Sequence, residues 1–256
     1  MPAELGLEGR VAIVTGALGN LGPVWTAAFA DSGMHVVGID LQPAPAGYPV
    51  RIEQGDVTDR QSLAHIRQVV EKDIGVPSVL VNNAGIDQSP AVTETFREEE
   101  IPLEDFRATL DVNLLGAFNA IQVFGAAMRD AGRGSIVNIG SLYASVAPEP
   151  SFYDHIDVDP PFLKPPAYGA SKAGLVSLTR YFARLWGPSG VRVNALSPGG
   201  VRGGQDDTFV RKYCARVPLA RMAEAADLVG PMLFLASDAS AYVTGHELRV
   251  DGGFTA

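Results

Sequence analysis

A single cysteine, Cys214, stands among 256 residues. It has no partner for an internal disulfide and no metal-spaced thiol nearby, which excludes disulfide-built folds and makes a reducing cytoplasm the expected compartment. Cys214 therefore reads as a packing residue. Basic residues are also scarce, with 20 Lys and Arg against 29 Asp and Glu and a net charge of −9. Nucleic-acid binding needs Lys and Arg clustered on one face, so the expected partner is a small molecule and not nucleic acid. The opening MPAELGLEGR is acidic and lacks a long apolar region, and no run of some twenty apolar residues follows. Neither a signal peptide nor a membrane partner is expected. Histidine is rare too: of four, His35, His65 and His246 have no ligand-spaced partners and read as structural, and no metal is expected.

The residues that are present describe a globular chain, 46% hydrophobic and 19% charged. Short β-branched runs at 10–15, 35–40, 50–55, 79–83, 135–140, 191–196 and 247–250 read as strands. Helical patterns lie between them near 20–32, 59–73, 102–131, 167–186, 206–215 and 224–237. Strict alternation with apolar strands predicts a parallel sheet covered on both faces, an α/β fold read as one domain over 1–256. The long stretch 144–166 has no periodicity, and loops of that length are commonly functional.

The first predicted strand runs into Thr15-Gly16-Ala17-Leu18-Gly19-Asn20-Leu21-Gly22 and then a helix. Glycines let the backbone turn and approach a pyrophosphate, whose charge suits the free N–H groups of a helix N-terminus. Asp40 closes the second strand, where a carboxylate would accept both hydroxyls of an adenosine ribose and repel a 2′-phosphate. No Lys or Arg lies between Gly16 and Asp40, so NAD is expected over NADP. Asp56-Val57 and Asn83-Ala84-Gly85 follow at later strand ends and complete the outline of a dinucleotide groove.

Tyr168 and Lys172 are spaced i, i+4 and share one face of a predicted helix. A lysine ammonium near a phenol favours phenolate, lowering a pKa that is ordinarily near 10. Ser141, after the fifth strand, is positioned to hold a substrate oxygen, and Asn113 to order a water beside Lys172.

TGALGNLG, NNAG, Asn113, Ser141, YGASK and the Leu196–Gly199 segment LSPG, in this order, closely resemble the short-chain dehydrogenase/reductase family. The later segments YVTG and VDGG resemble its single-domain branch. The resemblance implies a Rossmann-like, doubly wound sheet of seven strands and hydride exchange between a nicotinamide and an alcohol or ketone. It assigns Asn113, Ser141, Tyr168 and Lys172 as a catalytic tetrad, with Tyr168 and Lys172 also touching the cofactor. Gly16, Gly19, Asn20, Leu21 and Gly22 would line the pyrophosphate, while Pro198, Gly199 and Val201 would meet the carboxamide side. The resemblance also implies a homo-oligomer, a tetramer or a dimer.

Three departures from the pattern stand out. Asn20 occupies the usual second-glycine position, Gly203 replaces a threonine that often touches the phosphate, and Tyr168 follows Ser141 by 27 residues where about a dozen is usual. Tyr153 sits at the usual interval, but its +4 partner is Asp157, which opposes a phenolate by like charge. An extended-branch epimerase or dehydratase also has a long interval, yet the chain after Gly199 is too short for that branch's substrate domain. The expectation is a single-domain dehydrogenase with an enlarged substrate loop at 144–166 and a lid segment at 199–220. Its polar residues, including Tyr143, Tyr153, His155 and Arg202, suit a sugar, polyol or sugar acid better than an acyl chain. A 3-oxoacyl thioester reductase is the rival enzyme, and a non-catalytic NAD-binding regulator is the rival of another class.

Overall fold

The computed structural model describes residues 5–87 and 95–256. Seven strands form one sheet: β1 (Val11–Thr15), β2 (His35–Asp40), β3 (Arg51–Gln54), β4 (Val79–Asn82), β5 (Gly134–Ile139), β6 (Val191–Pro198) and β7 (Glu247–Val250). Their spatial order is β3-β2-β1-β4-β5-β6-β7, and every pairing is parallel. The order reverses between β1 and β4, which opens a crevice at the carboxyl ends of those two strands.

Among the described residues six helices cover the faces: α1 (Gly22–Asp31), α2 (Arg60–Asp73), α3 (Leu103–Asp130), α4 (Pro166–Trp186), α5 (Asp207–Cys214) and α6 (Val229–Ala236). One apolar core sits between the sheet and α2, α3 and α4, with Leu63, Phe124 and Trp186 buried in it. Another lies on the opposite face beneath α1 and α6, around Trp25, Phe29 and Met232. Strands enclosed this way need apolar side chains on both faces, which is why β1 and β4 are buried along their whole length. The doubly wound fold expected from the sequence is the one observed.

Several local expectations change. The helix expected over 102–131 is interrupted by two wide π-type turns, Asp111–Gly116 and Ile121–Gly125. At Gly116 a Cβ would lie 2.6 Å from Val57 Cγ2, so the helix approaches the β3–α2 connection too closely for a larger residue. This 28-residue helix is long and apolar enough to cross a membrane by length and composition alone, but half of its most apolar window is buried in the fold. The pattern at 224–237 splits into a 3-10 turn, Ala225–Leu228, leading into α6. Nor is 144–166 structureless. It contains the 3-10 turn Pro150–Phe152 and contributes Phe152, Tyr153 and Phe162 to a third cluster with Leu142, Tyr213, Val217 and Met222.

Candidate active site

The crevice between β1 and β4 is closed by a clamp of side chains. Asn83 Nδ2 donates to the carbonyls of Thr15 (3.1 Å) and Gly16 (2.9 Å), while its Oδ1 accepts from Trp25 Nε1 at 2.9 Å. Thr15 Oγ1 accepts from the backbone N–H groups of Asn83 and Ala84, both at 3.1 Å. This lashing draws the strand ends together until a Cβ on Gly16 would stand 2.7 Å from Ala84 Cα; Gly16 also has φ +63°, so only glycine fits without strain. At Gly22 a Cβ would meet the Gly16 carbonyl oxygen at 2.3 Å, which fixes the entry of α1. Gly19 differs: a Cβ there would approach nothing nearer than 3.4 Å, and Gly19 and Asn20 lie exposed at the loop crest.

No side chain caps α1, whose N-cap is Leu21, so the backbone donors of its first turn have no side-chain acceptor. Asp40 reaches the same loop: its Oδ2 accepts from Leu18 N at 2.9 Å and its Oδ1 from Gln42 N at 3.1 Å. Asp56 is tied into its own turn, accepting from Thr58 N (2.8 Å) and Thr58 Oγ1 (2.7 Å). Val57 is buried, and its carbonyl accepts from Asn119 Nδ2. Gly85 lies over the next part of the groove, where a Cβ would sit 3.3 Å from Asn113 Oδ1 and 3.6 Å from Lys172 Nζ.

Four elements bring Asn113, Ser141, Tyr168 and Lys172 together. Asn113 is held in the first wide turn of α3, 1% exposed, and grips the backbone of Ile86 from both sides. Its Oδ1 accepts from Ile86 N at 2.8 Å, and its Nδ2 donates to Ile86 O (3.0 Å) and Ser171 Oγ (3.2 Å). Lys172, 4% exposed on α4, donates to Ile139 O at 2.8 Å, and its Nζ stands 5.6 Å from the centre of the Tyr168 ring. Ser141, just after β5, is hydrogen-bonded to the Tyr168 phenol and accepts from Tyr143 N.

Burial governs the protonation of both titrating groups. It pushes the Tyr168 phenol well above its ordinary value; the Asp87 charge adds to the rise, and the hydrogen bond with Ser141 opposes it. The lowering expected from the nearby lysine is thus outweighed by desolvation. Burial also lowers the Lys172 ammonium to about 8, against the attraction of Asp87.

The segment after β6 forms the far wall. Gly199 N donates to Val250 O at 2.9 Å, and Gly200 N donates to the Tyr213 hydroxyl. Pro198 ends β6, and Val201 bridges to Ala223 while its carbonyl accepts from Gln205 Nε2 at 3.0 Å. Gly203, which stands where the family often has a phosphate-touching threonine, donates its N–H to Gln205 Oε1 at 2.7 Å.

The loop at 144–166 is seated differently from its polar composition. Phe152 packs on Phe209, Tyr213 and Phe254, and Tyr153 on Phe162 and Phe209. Many of the polar groups the sequence offers to a ligand engage each other instead. His155 Nε2 lies 3.0 Å from Asp206 Oδ1, Lys212 pairs with Asp154 and donates to Ser151 O at 2.8 Å, and Arg216 lies 3.5 Å from Glu149. Arg202 stays at the surface, 3.9 Å from Asp207. Tyr143 meets the Tyr168 ring edge-on at 6.5 Å and hydrogen-bonds Tyr153, so these two phenols border the Tyr168 side chain. One pair was not singled out from the sequence: Lys164 Nζ lies 2.6 Å from Asp87 Oδ2 and 5.7 Å from the Tyr168 ring centre. Among the described residues no cluster of His, Cys, Asp and Glu could hold a metal ion.

A family model described as enoyl-(acyl carrier protein) reductase matches residues 16–255. The chain belongs to the short-chain dehydrogenase/reductase family. This short-chain dehydrogenase/reductase is 34% identical to a D-threitol dehydrogenase from Mycolicibacterium smegmatis, over 97% of this chain and 94% of that one. It is 33% identical to a galactitol 2-dehydrogenase from Rhizobium johnstonii, over 97% and 96% of the two chains. A 3-oxoacyl-[acyl-carrier-protein] reductase from Thermotoga maritima is 32% identical, over 96% and 98%. Among solved structures, a short-chain dehydrogenase from Leptospira borgpetersenii with bound NAD+ superposes with a TM-score of 0.86 at 32% identity, covering 97% and 94%. A gluconate 5-dehydrogenase from Burkholderia cenocepacia, in complex with NADP and tartrate, gives 0.85 at 28% identity, covering 98% and 97%.

Proposed function

We propose that the protein is an NAD-dependent dehydrogenase that oxidises a secondary alcohol of a sugar, polyol or sugar acid, with Tyr168 as the acid/base. The observation that carries this reading is the convergence of Ser141, Tyr168 and a buried Lys172 at the carboxyl ends of the strands, beside a glycine cradle. That cradle suits a dinucleotide: the uncapped start of α1 would offer donors to a pyrophosphate, Asp40 would suit the adenosine ribose, and Tyr168 and Lys172 would hold the nicotinamide ribose. Bound nicotinamide supplies the acceptor for the hydride that leaves the alcohol carbon.

The chain's own residues handle the proton. Ser141 shares the substrate hydroxyl with Tyr168, and the Tyr168 phenolate takes its proton as the carbonyl forms. Lys172 supplies positive charge that favours the phenolate, most fully below about pH 8, where it remains an ammonium. Asn113 fixes the Ile86 backbone beside Lys172, so the lysine's neighbourhood stays in register with β4. In reduction the same groups run in reverse, the phenol donating to the nascent alkoxide.

Two related polyol dehydrogenases and a sugar-acid dehydrogenase structure support the substrate class, and the acidic Asp40 supports NAD. A 3-oxoacyl thioester reductase is the second reading, favoured by the Thermotoga maritima relative and opposed by Asp40 and the net charge of −9. Turnover of NAD and NADP with polyols, aldoses, sugar acids, simple secondary alcohols and 3-oxoacyl thioesters separates them. Oxidation of a polyol or sugar acid with NAD is expected; strong NADPH-dependent thioester reduction with little NADH activity overturns the proposal. Tyr168→Phe is expected to abolish turnover while Tyr153→Phe mainly raises the substrate KM.

A further inference from the structure

Two ammonium groups stand near the Tyr168 ring. Lys172 Nζ stands 5.6 Å from its ring centre and Lys164 Nζ 5.7 Å, one from its own helix and one from the inserted loop. The Lys164 side chain is only 9% exposed, unusual for a loop lysine, and its charge is met by Asp87 at 2.6 Å. Asp87 follows the Asn83-Ala84-Gly85 turn on the other side of the crevice, so the pair joins the β4 end to the insertion across the mouth of the site. The carboxylate's field reaches Tyr143, Tyr153, Tyr168 and Lys172. Removing it would favour phenolate at Tyr168; removing its counter-ion would disfavour phenolate.

We propose that Lys164 and Asp87 are positioning residues for the reaction: Lys164 cancels Asp87 beside the Tyr168 phenol, and the balance of the two charges sets the pH range in which Tyr168 exchanges its proton. This rests on the reading of Tyr168 as the acid/base. Among the described residues, the groups facing that phenol are Ser141 and Tyr143 from the end of β5, Tyr153 and Lys164 from the insertion, Asp87 from the end of β4, and Lys172 from α4. Of these, only the Asp87–Lys164 pair can be changed one charge at a time without touching Ser141, Tyr168 or Lys172. A lysine delivered by the insertion also gives that segment a chemical role besides shaping the substrate pocket.

The test is the pH dependence of kcat/KM for alcohol oxidation in Asp87→Asn, Lys164→Met and the double variant, with Lys164→Arg as the charge-preserving control. Asp87→Asn should move the acid limb to lower pH by about one unit, Lys164→Met should move it to higher pH by a similar amount, and the double variant should return close to the wild-type profile. Lys164→Arg should keep the wild-type limb, and Lys164→Gln, which also removes the charge, carries the lysine arm of the test if Lys164→Met does not fold. Unmoved limbs, or two single variants shifted in the same direction, overturn the proposal and leave the pair a structural strut. Full activity in Tyr168→Phe would instead refute the acid/base reading on which the proposal rests.

Discussion

Lys172 is a buried cation, and the site tolerates it at the expense of stability. Its ammonium is lowered from 10.5 to about 8, which corresponds to about 3 kcal/mol of native-state destabilisation at neutral pH. The unfolded chain keeps this proton up to its ordinary pKa, so between pH 8 and 10.5 the unfolded state binds more protons and this group's contribution to stability rises with pH. Lys172→Met is therefore expected to lose activity yet gain about 2 kcal/mol at pH 7, after allowing for the lost partner of Ile139 O. Urea unfolding of both proteins should show the gap narrowing as the pH passes 8. The raised phenol of Tyr168 acts with the opposite sign: it is neutral in both states at pH 7, and above its ordinary value the unfolded phenol ionises first, so stability falls as the pH rises further. Because oxidation needs the phenolate, its rate is expected to climb on the alkaline side, whereas reduction, which needs the phenol, falls there. The Tyr168 and Lys172 spacing was readable as one helical face; how burial divides the protons between them was not, because desolvation depends on what other elements cover.

At the scale of elements, the 144–166 loop is the part whose seating departs most from its composition. Its six prolines between 145 and 166, with its charges, predict a polar substrate loop. In the fold its aromatics make a small core with α5 and Phe254, and its charges latch onto α5 through Asp154–Lys212 and His155–Asp206. Proline reduces the entropy lost on ordering such a loop, and the aromatic core supplies the burial that holds it. Phe152→Ala should loosen the insertion from α5: the substrate KM is expected to rise at least about tenfold while cofactor affinity, measured by fluorescence titration, stays within about twofold. Equal losses in both would show that the aromatic cluster supports the dinucleotide crevice as well. The wide turn that carries Asn113 was equally hidden. Apolar periodicity reads straight through 102–131, and the close contact of Gly116 with Val57 is a tertiary fact.

For the whole molecule, the three-layer arrangement leaves apolar side chains in the open. Leu115 on α3 is 49% exposed, and Tyr181 and Leu185 on α4 are 62% and 53% exposed. Exposed apolar side chains on neighbouring helices fit a self-association surface, in keeping with the homo-oligomer that the family resemblance implies. Light scattering is expected to give a mass that is a multiple of 27.0 kDa, and Tyr181→Glu with Leu185→Glu to lower it. A monomeric wild-type protein would refute this expectation.

The sequence by itself determined the alternation of strands and helices, the glycine turn after β1, and the order of Asn113, Ser141, Tyr168 and Lys172 along the chain. Those features are local: they follow from period, turn chemistry and short spacings that any segment carries alone. Only the tertiary structure decided that Asn83 lashes two strand ends together, that Asn113 grips Ile86, and that the 144–166 loop turns aromatic residues inward. It also decided that Asp87 and Lys164, 77 residues apart, share one charge balance beside Tyr168. Contacts of that span depend on which surfaces the sheet order brings within a few ångströms, and no local pattern records them.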